Sequence, residues 1–156
     1  MAEITAQLVK QLREKTAAGM MECKSALVEA KGDLAEAEVV LRKRGLASAA
    51  KKAARSTKQG LIGVQIAADG KSGALIEVNC ESDFVARTEE FQALVANLGK
   101  QVVEQAPASV DVLKASKYIA DENFTIEELL KAKIAKTGEN MNVPRFACRA
   151  AAGVLG

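Results

Sequence analysis

The chain has 156 residues, 49% of them apolar, and carries a net charge of +2 at pH 7. This length can bury a hydrophobic core but is short for two large domains. There is no histidine, and the three cysteines lie too far apart to form a CxxC pair, so the commonest zinc ligand and the commonest general base are missing. We therefore expect a protein that is not an enzyme and that has no cofactor and no metal site.

No apolar run approaches the roughly 20 residues that a membrane helix needs. The first ten residues, MAEITAQLVK, lack the apolar core of a signal peptide. We therefore expect a soluble, intracellular protein in a reducing compartment, without contact to a membrane.

The first 45 residues show the apolar periodicity of three short helices. Thr5 and Asp33 are predicted N-caps of the first and third helix, because their side-chain oxygens can accept free backbone amides. Gly32 is suited to the left-handed residue after the second helix, and the third helix is expected to end at Gly45. Residues 1–45 are therefore predicted to form a three-helix module.

Met20 and Met21 are adjacent in the second predicted helix. Neighbouring residues on a helix point about 100° apart, so both side chains cannot lie at the centre of one narrow buried face. We expect one methionine to face outward, where its flexible side chain would suit a partner helix.

Residues 46–59 are predicted to form an Ala-rich, basic helical connector. No Asp or Glu occurs from Val39 to Ala68. Seven cations fall in that stretch: Arg42, Lys43, Arg44, Lys51, Lys52, Arg55 and Lys58. Two interpretations are open: a solvated linker, because no aromatic residue is interleaved to stack on bases, or a contact with the phosphates of RNA or with an acidic protein face.

From Gly60 the apolar period changes to alternation, which predicts a β-hairpin. The alternation groups Ile62, Val64 and Ile66 on one face of the first strand, and Ile76, Val78 and Cys80 on one face of the second. Because Cys80 shares a face with two aliphatic residues, we expect a core cysteine rather than a nucleophile.

A helix with Thr88 as N-cap is predicted next. Its buried stripe is expected to consist of Phe91, Leu94, Val95, Leu98 and Val102. After Pro107 only a polar, poorly patterned connection is expected. It leads to a helix that has Thr125 and Glu128 as a capping box and Gly138 as its stop.

The stretch MNVPRFACRAAAGVL is predicted to enter a strand, and Pro144 has no amide to donate, so it belongs on a sheet edge or at a strand start. The residues thus predict an α+β fold. A three-helix module (1–45) and a basic helical connector (46–59) would precede a helix-flanked antiparallel sheet domain (60–156).

Phe84 follows the second strand of the hairpin in the stretch NCESDFVAR, within a chain that has only four Phe and one Tyr. Connections run over the surface, where an exposed aromatic side chain gains nothing unless something covers it. Burial in the chain's own core and contact with a partner are both compatible with this position.

Three stretches, in this order, resemble signatures of the elongation factor Ts family: LVKQLREKTAAGMMECKSAL, VNCESDFVAR and IAKTGENMNVPRF. The resemblance implies a ubiquitin-associated-like (UBA-like) module over residues 1–45 and a dimerisation or core domain over residues 60–156. It also implies a nucleotide exchange factor that binds the GTPase elongation factor Tu in its GDP form and promotes GDP release in translation, in the bacterial-type cytoplasm or in an organellar matrix. The alternative is a UBA-like docking module that associates with the ribosome or RNA without exchange activity.

The resemblance also implies roles for single residues. The Asp83–Phe84 pair, flanked by Ser82 and Val85, is expected to wedge into the GTPase domain of Tu near switch II and its magnesium site. A second contact is expected from three residues of the N-terminal module, which would grip a helix of the same domain: Arg13, Met20 and Met21.

The chain departs from the family pattern at Ala17, where a glycine is usual, at Ser82, where threonine is usual, and at Pro144, where arginine is usual. The residues between Pro107 and Thr125 are too few for the second core subdomain and coiled-coil hairpin of longer members. We therefore expect either a short form or the N-terminal part of a longer chain. Because the C-terminal strand carries unprotected apolar residues from Phe146 to Leu155, we also expect a homodimer that pairs through this strand.

Overall fold

A computed structural model describes residues 3–151 and divides into two compact units. The first unit comprises the chain up to Ala54 together with Glu128–Glu139, and the second comprises Arg55–Glu127 together with the chain from Asn140. In chain order the elements are α1 (Ala6–Thr16), α2 (Met20–Glu29), α3 (Leu34–Lys52), β1 (Gln59–Ile66), β2 (Ser72–Cys80), α4 (Asp83–Ala86), α5 (Glu89–Gln105), α6 (Val110–Ala115), β3 (Lys117–Tyr118), β4 (Asp121–Thr125), α7 (Ile126–Thr137) and β5 (Met141–Ala150). The α+β class predicted from the sequence is confirmed.

The first unit is built on the three predicted N-terminal helices. Thr5 Oγ1 accepts a hydrogen bond from the Leu8 amide (3.3 Å), and Asp33 Oδ1 accepts one from the Glu36 amide (2.9 Å), so both predicted N-caps are confirmed. Gly32 takes the expected left-handed conformation at φ +87°. The three helices share one buried cluster: Val9, Leu12, Ala18, Cys23, Ala26, Leu27, Ala30 and Ala37.

Helix α3 does not end at Gly45, as predicted, but continues to Lys52. Alanine has the best helix propensity, and no proline interrupts this stretch, so nothing local stops the helix. Gly45 is buried, and a Cβ at this position would lie 3.7 Å from the Lys131 carbonyl oxygen of α7. The residue that we interpreted as a stop is therefore a buried position inside α3, beside α7.

The second unit is organised around an antiparallel sheet of strand order β1-β2-β5. Helix α5 packs on one face of β1 and β2, and Thr88 caps it by accepting a hydrogen bond from the Phe91 amide (3.2 Å). All five residues of the predicted stripe are buried, and Gly99 and Gln101 of α5 are buried with them. Ile76, Val78 and Cys80 are buried, so the predicted role of Cys80 in the core is confirmed.

The aliphatic residues of β1 face away from α5. Gly63 pairs with Ile76, and this register leaves Ile62, Val64 and Ile66 on the opposite, exposed face of the sheet. A Cβ at Gly63 would lie 2.7 Å from Val95 Cγ1 of α5, so the helix can approach only because the residue is glycine.

Residues 107–125 are more ordered than the predicted polar connection. They contain α6 and the short hairpin β3–β4. Gln101 of α5, fully buried, organises this region: its Nε2 donates to Ser116 Oγ (2.9 Å) and to the Lys117 carbonyl oxygen (2.8 Å), while its Oε1 accepts from the Ile119 amide (3.1 Å). The buried Gln101 side chain therefore provides hydrogen-bond partners for one hydroxyl and two backbone groups of this segment.

The predicted stop of α7 and the predicted edge position of Pro144 are confirmed, whereas the capping box of Thr125 and Glu128 stays a prediction. Gly138 follows α7 in a left-handed conformation at φ +76°. Strand β5 is an edge strand, as Pro144 requires, and the β2–β5 register shifts between Glu77 and Asn79, opposite the proline. The domain boundaries at residues 45 and 59 stay predictions.

Candidate functional site

The candidate site of the second unit is the four-residue helix α4, which directly follows β2. Ser82 is its N-cap, and the Ser82 Oγ accepts a hydrogen bond from the Val85 amide at 3.4 Å. Ala86 is buried and anchors the inner side of the helix, which contacts β1 and β2. This short element therefore has a defined inner side and a defined outer side.

Phe84 points outward from α4. It is 84% exposed, more than any other large apolar side chain that is exposed in the described part of the chain. Exposure on this scale removes core packing as the explanation of Phe84, which was one of the two interpretations open from the sequence.

The backbone that carries Phe84 is fixed on both sides. Before α4, the Cys80 thiol donates to the Ser82 carbonyl oxygen (3.1 Å). After it, the Thr88 hydroxyl, which also caps α5, donates to the Val85 carbonyl oxygen (2.8 Å). A fixed backbone loses little conformational entropy on binding, which favours the use of its exposed side chain as an anchor.

Asp83 and Arg87 form an exposed ion pair across one turn of α4, with 3.3 Å between Arg87 Nη2 and Asp83 Oδ2. A second pair, Arg55 Nη1 to Glu81 Oε2 (3.5 Å), lies beside the entry to α4. Neither Arg87 nor the Arg55–Glu81 pair was among the predicted site residues. The spacing of four residues between Asp83 and Arg87 is a signal from which the first pair could have been inferred.

The second candidate surface lies in the first unit, around the turn between α1 and α2. Arg13 is exposed near the end of α1, and Met20 and Met21, which begin α2, are 59% and 74% exposed. The expectation that only one methionine faces outward is therefore wrong: both do, because the buried face of α2 starts only at Cys23.

Cys23 lies beneath this surface and is fully buried. Burial raises the pKa of the Cys23 thiol, although a hydrogen bond with Thr16 and the charge of Arg13 act in the opposite direction. The thiol is therefore protonated at neutral pH and serves the core. The same side of α2 also exposes Val28 (59%), seven residues after Met21, a spacing that is visible in the sequence.

The structure thus groups the predicted site residues into two sets. Ser82, Asp83, Phe84 and Val85 lie together on α4 in the second unit. The other three lie at the α1–α2 turn of the first unit: Arg13, Met20 and Met21.

Among residues 3–151, no group of three His, Cys, Asp or Glu side chains is arranged to hold a metal ion. None of the helices in this part of the chain is long and apolar enough to cross a membrane.

Comparison with known proteins places the chain in a family. The family model described as "Elongation factor TS" matches residues 81–155. The protein named "Elongation factor Ts" of Solibacter usitatus is 47% identical over 191 aligned residues, which cover 94% of this chain and 90% of that protein.

Proteins of the same name from Clostridium tetani (52% identical over 143 residues) and Bordetella petrii (54% over 146) are matched over 92% and 94% of this chain. These alignments cover only 47% and 49% of the two relatives, so the chain spans about half of their length. With the Solibacter protein matched over nearly its whole length, the relationship is not confined to one shared segment. The chain belongs to the elongation factor Ts family.

Proposed function

We propose that this protein is a nucleotide exchange factor that binds elongation factor Tu·GDP and promotes GDP release. The observation that carries the proposal is Phe84, exposed by 84% on a short helix with a braced backbone. Interface energy is commonly concentrated in a few aromatic or arginine anchors that enter pockets on the partner. Membership of the elongation factor Ts family supplies the partner.

The mechanism requires no catalytic base. An exchange factor accelerates release if it binds the nucleotide-free GTPase more tightly than the GDP-bound form, because its contacts then offset the nucleotide contacts that are lost. Inverting a population of about 1:99 takes a differential binding free energy of about 5.5 kcal/mol. In our proposal Phe84 enters the Tu GTPase domain near its magnesium site, Asp83 orients α4 through Arg87, and Ser82 and Val85 hold the backbone.

The α1–α2 turn would provide a second contact with the same GTPase domain. Two exposed methionines beside an exposed arginine form an apolar surface with one positive charge. Because methionine side chains are flexible, this surface can adapt to the side chains of a partner helix. In this scheme residues 1–45 act as the UBA-like docking module and residues 60–156 as the core domain, joined by the connector 46–59. The proposed partner places the protein where translation takes place, in the cytoplasm or in an organellar matrix.

The proposal is tested by the release of fluorescent GDP from purified Tu, followed in stopped flow with wild-type protein and with Phe84→Ala. We expect the substitution to slow exchange at least about tenfold, in line with the loss of an interface anchor. The melting temperature should stay close to that of the wild type, because the ring contributes nothing to the core.

Two controls make the result specific. Phe91→Ala removes the same ring from a position that is 2% exposed, and should cost about 3–5 kcal/mol of stability. Val112→Ala trims another exposed apolar side chain of the second unit and should leave both stability and exchange unchanged. Exchange by Phe84→Ala at the wild-type rate would refute the role of Phe84. Binding of the wild type to Tu without faster release would favour the docking-module alternative.

A further inference from the structure

The outward side of α3 carries a surface that the proposed function does not use. Five residues share one face of α3, because they lie three, four, seven and eleven positions after the first of them. They are Val39, Arg42, Lys43, Leu46 and Ala50. We call these five residues the α3 outer face. All are exposed, and the two large aliphatic side chains, Val39 and Leu46, are 47% and 45% exposed.

The cations of the α3 outer face are not neutralised within the described part of the chain. Arg44, which points to another side of α3, donates to Glu29 Oε2 (2.6 Å) and to Ser25 Oγ (3.2 Å). Arg42 and Lys43 have no such partner in residues 3–151, and no Asp or Glu occurs in sequence from Val39 to Ala68. The result is a short apolar stripe with Arg42 on one flank and Lys43 on the other, and the exposed Glu36 lies two turns before Lys43 on the second flank.

We propose that the α3 outer face is a docking surface for an acidic amphipathic helix of a partner protein. An amphipathic helix binds through apolar anchors at these spacings, and Val39 and Leu46 supply them on this side. Carboxylates flanking the apolar seam of the partner would meet Arg42 and Lys43, as charges beside a helical seam determine partner choice. Ala50 is small and lets a partner helix approach the end of the stripe.

Two other partners fit the face less well. RNA phosphates would meet the cations but would leave Val39 and Leu46 exposed to solvent, and no aromatic side chain lies on the face to stack on a base. A membrane-surface helix needs a broad apolar face of large side chains, whereas this one has two such residues and alanine. The combination of a narrow apolar centre and paired charges favours a protein helix.

The α3 outer face shares no residue with α4 or with the α1–α2 turn, so substitutions in this face leave the side chains of the proposed contact with Tu unchanged. It can therefore be tested separately. The probe is a fluorescein-labelled synthetic helical peptide with leucines along one stripe and glutamates on both flanks, and its twin has lysine in place of every glutamate. Binding to the 156-residue chain is followed by fluorescence anisotropy at low and at physiological salt.

We expect the glutamate peptide to bind and the lysine peptide not to bind. The double substitution Arg42→Glu/Lys43→Glu should weaken binding of the glutamate peptide at least about tenfold, and the wild-type affinity should fall with added salt. Lys100→Glu/Lys117→Glu makes the same change of net charge on exposed residues of the second unit and should have no comparable effect.

The apolar part is tested by Leu46→Ser, with Leu75→Ser as a control on a leucine of similar exposure (49%) in the second unit. Of these two substitutions, only Leu46→Ser should weaken binding of the glutamate peptide. If charge reversal at Arg42 and Lys43 unfolds the protein, as judged by circular dichroism, Arg42→Ala/Lys43→Ala replaces it, with a smaller loss expected.

No binding of the glutamate peptide would overturn the proposal, as would binding that survives either substitution. The proposal would also fail if an RNA hairpin or phosphatidylglycerol vesicles bound through Arg42 and Lys43 while the peptide did not. The GDP-release rate of these variants serves as a separate readout: it should remain at the wild-type value, so failure here leaves the proposed exchange activity untouched.

Discussion

Ala17 ends α1 in a left-handed backbone conformation, with φ +54°, and its amide donates to the Arg13 carbonyl oxygen at 2.9 Å. A residue with a Cβ pays roughly 1–2 kcal/mol for this conformation, which glycine adopts freely. The position is the one at which the chain departs from the glycine of the family signature. The strain is therefore a local property of one residue rather than of the helix.

We predict that Ala17→Gly stabilises the protein by about 0.5–1 kcal/mol, the relieved strain less the entropy that glycine adds to the unfolded chain. Thermal and urea denaturation measure the effect. Ala50→Gly makes the same chemical change inside α3 and should have the opposite sign, a loss of about 1 kcal/mol. A destabilised Ala17→Gly would show that the αL strain is not released by glycine.

Residue-scale features were predictable where the cause was local. The caps Thr5, Asp33 and Thr88 follow from side chains that reach amides two or three residues away, and all three are found in the structure. The direction of Phe84 was not predictable, because it depends on the burial of Ala86 against the sheet. A segment of four residues is too short for its apolar pattern to show which side faces the sheet.

At the scale of elements, the approach of α5 to the sheet depends on Gly63. A Cβ there would lie 2.7 Å from Val95 Cγ1 and 3.1 Å from Ile76 Cγ2. We predict that Gly63→Ala destabilises the protein by about 1–3 kcal/mol, because the helix and strand must separate to admit the methyl group. Urea denaturation of the single variant measures this cost.

The steric origin is tested by a double-mutant cycle. Val95→Ala removes the clashing methyl groups, so Gly63→Ala/Val95→Ala should lose less stability than the sum of the single variants, with a coupling of about 0.5–3 kcal/mol. Gly138→Ala is the control: it places a Cβ at φ +76° with no atom within 4 Å, so Val95→Ala should not rescue it. Strict additivity at Gly63 would contradict a direct clash.

The α1–α2 turn supports a second element-scale prediction. Arg13→Ala/Met21→Ala removes the exposed cation and the more exposed methionine, and should weaken binding to Tu mainly by faster dissociation, as is usual within one interface. Biolayer interferometry with immobilised Tu gives both rate constants. Lys117→Ala/Val112→Ala trims an exposed cation and an exposed aliphatic residue elsewhere. If both double variants bind with wild-type kinetics, the turn does not dock on Tu.

The predicted end of a helix was correct only where the glycine taken as a stop signal lies outside the helix at positive φ. Gly138 directly follows α7 at positive φ, and Gly32 has positive φ in the turn after α2, which ends at Glu29, whereas Gly45 lies inside α3. The ordered segment after Pro107 escaped prediction for a related reason. Several of its hydrogen bonds are made with Gln101, 15 to 18 residues earlier in the chain, and a local pattern cannot reveal a partner on another helix.

At the scale of the whole molecule, charge is distributed unevenly. The acid-free stretch from Val39 to Ala68 carries seven cations, while the net charge of the chain is only +2. Such an asymmetry accelerates encounters with acidic partners and makes them sensitive to ionic strength. It concerns association rather than fold, since the packing of α3 depends on its apolar and small residues.

The sheet of the second unit offers two surfaces for self-association, the edge of β5 and the exposed face of the sheet. Strand β5 is an edge of the sheet, so one of its sides has no strand partner among the described residues. The exposed face carries Ile62, Val64, Ile66 and Leu75. Part of the apolar segment that suggested edge pairing, residues 152–155, lies outside the described residues.

We predict a homodimer that pairs through the β5 edge, because an unpaired strand edge offers amides and carbonyls to a second copy, and a two-fold axis closes the contact. Sedimentation velocity over a concentration series should show reversible dimerisation. Ala147→Lys adds a charge to the edge strand and should shift the protein toward monomer. Ile62→Lys/Val64→Lys charges β1, two strands away, and should leave edge pairing intact but abolish any dimer formed face to face. A wild type that stays monomeric at every concentration, or a dimer lost only in the β1 variant, would rule out pairing through β5.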